Sequence, residues 1–312
     1  MDKILLIDTH NAIWRATVGF GPKKESEHVL CSDCDAYILL HQSDQLHCEC
    51  GGAWLYLEDR CEFSPNPDHV VIFNFFRNLR PIIEMFSPDK CFFVLEGHPQ
   101  FRYDLFAEYK ANRIIKQASK QATKDKVLRC KDEIVRLLHY LPVTICRAAQ
   151  YEADDVVATL CENMNQEDLT ILSNDSDYIQ LLQKGYNNIQ IYNPIKKEFM
   201  QAPSYPYIAW KCLAGDKSDN IPSLLKPKKV EAAMNDPEVL RKFMEVEENR
   251  ANFSINRKLI EFRMVPEEEI ILDEGSHDFD SLKKEFANME FESIINDSSW
   301  AKYIKTFDCL KY

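Results

Sequence analysis

Five short runs of β-branched, aromatic and other apolar residues punctuate the chain: ILLID (4–8), CFFVLE (91–96), VTIC (143–146), LTILSN (169–174) and IQIYN (189–193). Runs of that length and composition read as buried strands. Helical patterns lie between them. DHVVIFNFFRNLRPIIEMF places apolar residues three and four apart, with Pro81 expected to kink it, and KDKVLRCKDEIVRLLHYLP repeats the pattern through Val127, Leu128, Ile134, Val135 and Leu138 before Pro142 stops it. Strands alternating with helices predict an α/β fold with a mostly parallel sheet, in which ligands sit beyond the carboxyl ends of the strands.

Two regions break that rhythm. Residues 21–66 are rich in Cys, Gly, Pro and polar residues and read as an insertion between the first strand and its helix. From about residue 203 the pattern turns helical, with charged segments such as EVEENR and VPEEE, which predicts a helical C-terminal subdomain. A length of 312 residues suits one large domain with such an appendage.

Composition narrows the class. Hydrophobic residues make up 45% and charged residues 28%, a globular balance, and no stretch approaches the roughly 18 continuous apolar residues of a membrane span. ILLID begins three residues after Met1, too early for a signal peptide, so a cytoplasmic setting is expected. Eleven cysteines, an odd number, favour reduced thiols or metal ligands over a secreted disulfide framework. The net charge of −12 excludes an indiscriminate nucleic-acid binder, so any phosphate-binding surface must concentrate its Lys and Arg locally.

Carboxylates collect where strands end. The first strand ends in Asp8 and the second in Glu96; YEADD, with Glu152, Asp154 and Asp155, opens a helix after the third; Asp175 and Asp177 follow the fourth. Asp216 and Asp219, in AGDKSDNIP, follow a helix that Gly215 would cap. Each piece alone has a plain explanation: acids in a first helical turn complement the dipole, and SNDSD suits an Asx-rich loop. Together, nine carboxylates converging on one sheet edge would force several pKa values up unless cations intervene. Oxygen ligands without convergent His or Cys suit Mg²⁺ or Mn²⁺.

At this point the chain resembles a known family. LLIDTHNAIWRA, VLEGHPQFRYDLFAEYKANR, YEADDVVATL, ILSNDSDYIQLL and CLAGDKSDNIP match, in order and spacing, the motifs of the 5′ nuclease superfamily: flap endonucleases, the 5′ nuclease domain of DNA polymerase I, and phage 5′-3′ exonucleases with RNase H activity. The resemblance runs from Lys3 to about Pro266 around the insertion. It implies a PIN-like fold with a catalytic domain over 1–202, carrying an inserted module at 24–66 and a helical arch at 102–136, and a helical DNA-binding subdomain of helix-three-turn-helix type over 203–312. The compartment it implies is a bacterial or phage-infected cytoplasm.

Carried over by position, the resemblance puts one metal near Asp8, Glu96, Glu152 and Asp154, with Asp155 close by, and a second near Asp175, Asp177, Asp216 and Asp219. Glu96, in LEG, stands where the family usually has the Asp of FDG, and its longer arm can ligate directly or through water. Two divalent ions can activate water, stabilise the charge on the phosphate and help the leaving oxygen. Lys110 matches the family's active-site lysine, with Arg113 beside it, Lys211 as a further phosphate contact and Tyr109 able to stack on a terminal base.

From Lys110 to Lys131 there are eight Lys or Arg and a single acid, Asp125. Such a run is commonly a solvated helix face. Its place matches the family's arch, which makes Lys116, Lys120, Lys124, Lys126, Arg129 and Lys131, with Arg102 at the base, an expected guide for a single-stranded 5′ end. After GDKSDNIP the family's glycine-rich hairpin is replaced by SLLKPKKVEAAM, where Lys226, Lys228 and Lys229 offer side-chain charge in place of a backbone nest.

The insertion has its own signature. Cys31 and Cys34 are separated by two residues, Cys48 and Cys50 by one, and thirteen residues lie between the pairs. Paired cysteines on tight turns predict a zinc ribbon with one structural Zn²⁺, His47 being an alternative ligand and unligated reduced thiols the competing reading. The other seven cysteines read as incidental thiols.

The function expected is therefore a divalent-metal-dependent 5′-3′ exonuclease and flap endonuclease with RNase H activity, acting as a monomer on DNA flaps, single-stranded 5′ ends and RNA–DNA hybrids. A single-strand-binding protein or a polymerase is the replication partner this implies, and no membrane is involved. Two alternatives stand beside it: a PIN-like endoribonuclease, against which GDKSDNIP and the helical C-terminus argue, and a non-catalytic DNA-end or replisome-binding protein working through the ribbon.

Overall fold

The computed structural model describes residues 1–18, 28–34, 37–39, 48–56, 67–111, 121–186 and 188–311. Strand β1 (Lys3–Asp8) runs directly into α1 (Thr9–Val18), and a small antiparallel sheet of β2 (His28–Cys31), β3 (Tyr37–Leu39) and β4 (Trp54–Tyr56) follows. The insertion thus follows α1 rather than preceding it. The main domain continues through α2 (Pro67–Phe86), β5 (Lys90–Leu95), α3 (Gln100–Leu105), α4 (Gln121–Leu138), β6 (Thr144–Arg147), α5 (Ala153–Asn163) and β7 (Asp168–Leu172). A 3-10 turn at Ser176–Tyr178 leads into α6 (Ile179–Leu182), then β8 (Ile189–Asn193) and β9 (Glu198–Phe199). Helices α7 (Tyr207–Ala214), α8 (Pro227–Asn235), α9 (Pro237–Glu245) and α10 (Glu247–Ile260) come next, then β10 (Ile271–Glu274), α11 (Phe279–Asn288), α12 (Glu292–Ile295) and α13 (Asp297–Lys305). Pro81 lies inside α2, which runs on through it to Phe86.

The seven-stranded sheet has the order β10-β6-β5-β1-β7-β8-β9. Its five inner strands are parallel, and β10 and β9 close the two edges antiparallel. All five strands read from the sequence are present, covered on both faces. In β1, Leu5 and Ile7 face Val71, Phe76, Ile134 and Leu137 from α2 and α4, while Ile4 and Leu6 face Val156, Val157 and Leu160 from α5. Strand order reverses between β1 and β7, and that switch point is where an open parallel sheet leaves a crevice.

Two expected boundaries change. The segment expected to form an arch ends in α4, whose Val127, Cys130, Ile134, Leu137 and Leu138 are buried in the main core, so residues 121–136 are a core helix. The helical run from α7 ends at Ile260 and packs a small core of its own around Leu213, Val230 and Ala233. Beyond it a strap, residues 259–265, is fastened to the main domain: Arg102 Nε donates to the Leu259 carbonyl at 3.0 Å, Gln180 Nε2 to that of Ile260 at 3.3 Å, and Val265 N to Thr159 Oγ1 at 2.9 Å. Strand β10 then joins the sheet, and Leu282, Phe286, Trp300, Tyr303 and Phe307 complete the core under α2. The helical subdomain expected over 203–312 is therefore divided, its second half packing its aromatic residues into the core of the main sheet.

Candidate active site at the carboxyl ends of the strands

A cleft of about 660 Å³ opens at the switch point and is lined by Asp8, Glu96, Lys110, Asp154, Asp175, Asp177, Lys211, Asp216 and Asp219. Each acid is presented by a local motif. Asp8 accepts from Asn11 N at 3.0 Å and from Ser173 Oγ at 3.2 Å, which ties the ends of β1 and β7 together. Asp175 caps the 3-10 turn by accepting from Asp177 N at 2.9 Å. Glu96 accepts from Ala153 N, at the start of α5, at 3.0 Å. Next to it, a Cβ on Gly97 would stand 2.2 Å from the Ala148 carbonyl, so only glycine lets the LEG turn lie against YEADD.

The GDKSDNIP loop is held by paired backbone bonds between Asp216 and Ile221, at 3.0 and 2.8 Å. Gly215 has φ 71°, and a Cβ there would meet the Ile221 carbonyl at 2.6 Å. The Asp219 carbonyl accepts from Lys110 N at 2.9 Å, which locks this loop to the turn carrying Lys110.

Burial and mutual repulsion govern the charges. Burial, with the charge of Asp175 added, raises Asp8 to about 6. Burial and the charge of Glu152 raise Glu96 to about 7. Burial, then Asp175, Asp8 and Glu96, push Asp154 well above the usual carboxylate range. Asp177 is raised to about 6 by burial in spite of Lys211, whereas at Asp216 burial is outweighed by Lys211 and Ser218, which hold it at about 2. Lys211 Nζ pairs with Asp177 and, at 2.8 Å, with Asp216. Lys110 Nζ pairs with Glu152 and lies 3.9 Å from Asp219.

Five expected site residues sit elsewhere. Asp155 is fully buried and takes a bidentate pair from Arg102, at 2.5 and 2.7 Å, plus Arg263 N at 2.8 Å, so it supports the base of the cleft and does not line it. Arg102, 2% exposed, is consequently unavailable to nucleic acid. Glu152 is also buried, accepting from Arg102 Nη1 at 3.0 Å, from the Tyr109 hydroxyl at 3.0 Å and from Lys110; it lies behind the lysine, outside the cleft lining but near enough for its charge to reach Glu96. Tyr109, 3% exposed, has no free face for a base. Arg129 reaches back to Asp68 at 2.8 Å. Lys124, Lys126 and Lys131 lie along α4, and Lys226, Lys228 and Lys229 are exposed at the start of α8. Arg113, Lys116, Lys120 and His47 fall outside the described residues.

The cleft is also lined by His10, Asn11, Trp14 and Arg15 of α1, which the sequence reading passed over. Their numbers carry the signal, because 10 with 14 and 11 with 15 are each one helical turn apart and share a face. Arg15 lies beside Asp8, and its Nε is buried without a hydrogen-bond partner.

In the insertion, β2 and β4 bring the four cysteines together. Their Sγ atoms all lie within 4.8 Å of one another, with Cys31 to Cys50 at 3.3 Å and Cys34 to Cys48 at 3.6 Å. Among the described residues no three carboxylates close to that separation. A Cβ on Gly52 would stand 2.5 Å from Cys31 Sγ, so this glycine makes the thiol cluster possible. Four convergent thiols fit one tetrahedral metal.

A family model described as the 5′-3′ exonuclease, N-terminal resolvase-like domain, matches residues 62–206. DNA polymerase I of Streptococcus pneumoniae is 31% identical over 169 residues, covering 50% of this chain and 18% of the polymerase. A 5′-3′ exonuclease of Bacillus subtilis is 30% identical over 164 residues, covering 48% of this chain and 52% of that protein. The chain therefore spans about half, or less, of the length of these curated relatives. The bacteriophage T5 flap endonuclease, solved with DNA and metal ions, shares the fold over 97% of both chains, with a TM-score of 0.53 at 12% identity.

Proposed function

We propose that this chain, a member of the 5′ nuclease superfamily, hydrolyses phosphodiester bonds at 5′ ends, 5′ flaps and RNA primers in DNA replication and repair, with divalent metal ions as cofactors. The observation that carries this reading is the crowding of Asp8, Glu96 and Asp154, each raised by burial and by neighbouring acids, in a cleft at the sheet's switch point. Oxygen donors under mutual repulsion fit Mg²⁺ or Mn²⁺. Asp8, Glu96 and Asp154 would hold one ion and Asp177, Asp216 and Asp219 a second, with Asp175 close to both sets. Bound there, such ions supply an activated water and neutralise charge on the phosphate and the leaving oxygen.

The chain's own residues do the rest. Lys110 and Lys211 carry the ammonium groups nearest the acids, and with Arg15 they would bind the scissile phosphate. The face of Trp14, rather than Tyr109, offers a terminal base a stacking surface. Lys226, Lys228 and Lys229 would meet duplex phosphates, with Arg113, Lys116, Lys120, Lys124, Lys126 and Lys131 guiding the single strand. Residues 1–202 with the returning C-terminal segment form the catalytic domain on this reading, and residues 203–260 the duplex-binding module. The four cysteines would hold one structural Zn²⁺.

The test is cleavage of a labelled 5′-flap duplex and an RNA-primed duplex with Mg²⁺ or EDTA. Wild-type protein should cut with Mg²⁺ only, and Asp175→Asn should lose at least about 100-fold. Absence of metal-dependent cleavage on both substrates would sink the proposal.

A further inference from the structure

Trp14 Nε1 donates to His10 Nε2 across 2.7 Å, one helical turn away, and the two rings stand 68° apart with centroids 6.2 Å from each other. An indole nitrogen can only donate, so His10 Nε2 is the unprotonated ring nitrogen here. Trp14 is half-buried against the main core, and both rings line the cleft beside Asp8. Among the described residues lining that cleft, these are the aromatic side chains. An indole held at its nitrogen edge and packed against the core is restricted in how it can turn within the cleft. Arg15, Lys110 and Lys211 line the same cleft, which so combines a flat ring with cations, as single-stranded nucleic acid requires.

We infer that His10 is a positioning residue: by accepting the indole N–H it fixes the plane of Trp14 as the wall against which the nucleobase at the 5′ end stacks. The inference rests on the nuclease reading above. The imidazole touches the base through Trp14 and takes no part in breaking the phosphodiester bond. Its acceptor is what matters, so a side chain that keeps an acceptor at that reach preserves the wall, and one that keeps only bulk does not.

A flap duplex carrying 2-aminopurine at its 5′ terminus, titrated with the full chain in EDTA, reads stacking without cleavage. Wild-type protein should quench the probe. Trp14→Ala should abolish the quench, and His10→Phe and His10→Ala should each lose most of it and weaken binding about 3- to 10-fold. His10→Gln should restore both, because its amide oxygen can accept from the indole. Full quenching in His10→Phe and His10→Ala alongside loss in Trp14→Ala would overturn the role of His10 alone. No loss in Trp14→Ala would overturn the stacking wall with it. The nuclease reading is judged separately, by whether wild-type protein cuts with Mg²⁺.

Discussion

Replacing Arg102 by Met tests whether the pair beneath the cleft is structural. Arg102 and Asp155 are 2% and 0% exposed, and the guanidinium makes two bonds to Asp155, one to Glu152 and one to the Leu259 carbonyl. In Arg102→Met the Asp155 carboxylate keeps only backbone donors, Arg263 N at 2.8 Å and Glu152 N at 3.2 Å. Leaving one partner of a buried pair uncompensated costs about 3–5 kcal/mol, a large part of a total stability of about 5–15 kcal/mol. Urea unfolding followed by circular dichroism should show that loss as a lower midpoint at unchanged slope. Adding Asp155→Asn should recover part of it, because the uncompensated charge goes while the amide oxygen still accepts from a backbone donor. The salt dependence of DNA binding should keep its slope, because no phosphate contact is removed. A cost below about 1 kcal/mol, or a shallower salt slope, would refute the assignment of Arg102 to the interior.

Two further outcomes are expected. Asp8, Glu96 and Asp177 are raised to about 6, 7 and 6, so the folded protein holds their protons more tightly than the unfolded chain. Their contribution is present at low pH and lost as pH rises from about 4 through about 7; Asp216, held at about 2, acts oppositely but only at lower pH. The melting temperature in EDTA should accordingly fall from pH 5 to pH 8, and saturating Mg²⁺ should remove most of the fall; a flat profile in EDTA would contradict the crowding. Purified protein should carry about one zinc by elemental analysis, lost on replacing Cys31 and Cys34 by Ser, and a zinc-free, fully folded preparation would remove the ribbon.

What was legible in the sequence follows from what each residue's neighbours in the chain reveal. The five parallel strands were visible because burial on both faces makes them continuous apolar runs. Five of the nine predicted acids, Asp8, Glu96, Asp154, Asp175 and Asp177, line the cleft because a parallel sheet collects strand ends on one edge, while Asp216 and Asp219 join them from the loop that Gly215 opens. Asp155 and Glu152 could not be separated from Asp154 by spacing. Their fate depends on Arg102, which is 53 and 50 positions away, and on a strap more than a hundred residues on. A motif shows that an arginine is present, not whether it points at a phosphate or into the interior. Tyr109 is the same case: two carboxylates take its hydroxyl and its ring is enclosed. Strand β10 was missed because ILDE is four residues long and pairs with β6 from more than a hundred residues away.

The return of the chain after Ile260 matters to anyone who wishes to shorten the protein. The helical module is spliced between β9 and β10 and so has two covalent moorings, with a third tie where Lys110 N donates to the Asp219 carbonyl. Ending the chain at residue 202, where the sequence pattern invites a cut, would not yield a smaller stable domain. It would strip an edge strand from the sheet and leave the floor of α2 bare where Phe286, Trp300 and Phe307 now lie. Excising 203–260 instead would keep β10 and that floor but take Lys211, Asp216 and Asp219 out of the cleft, so neither cut leaves the site whole.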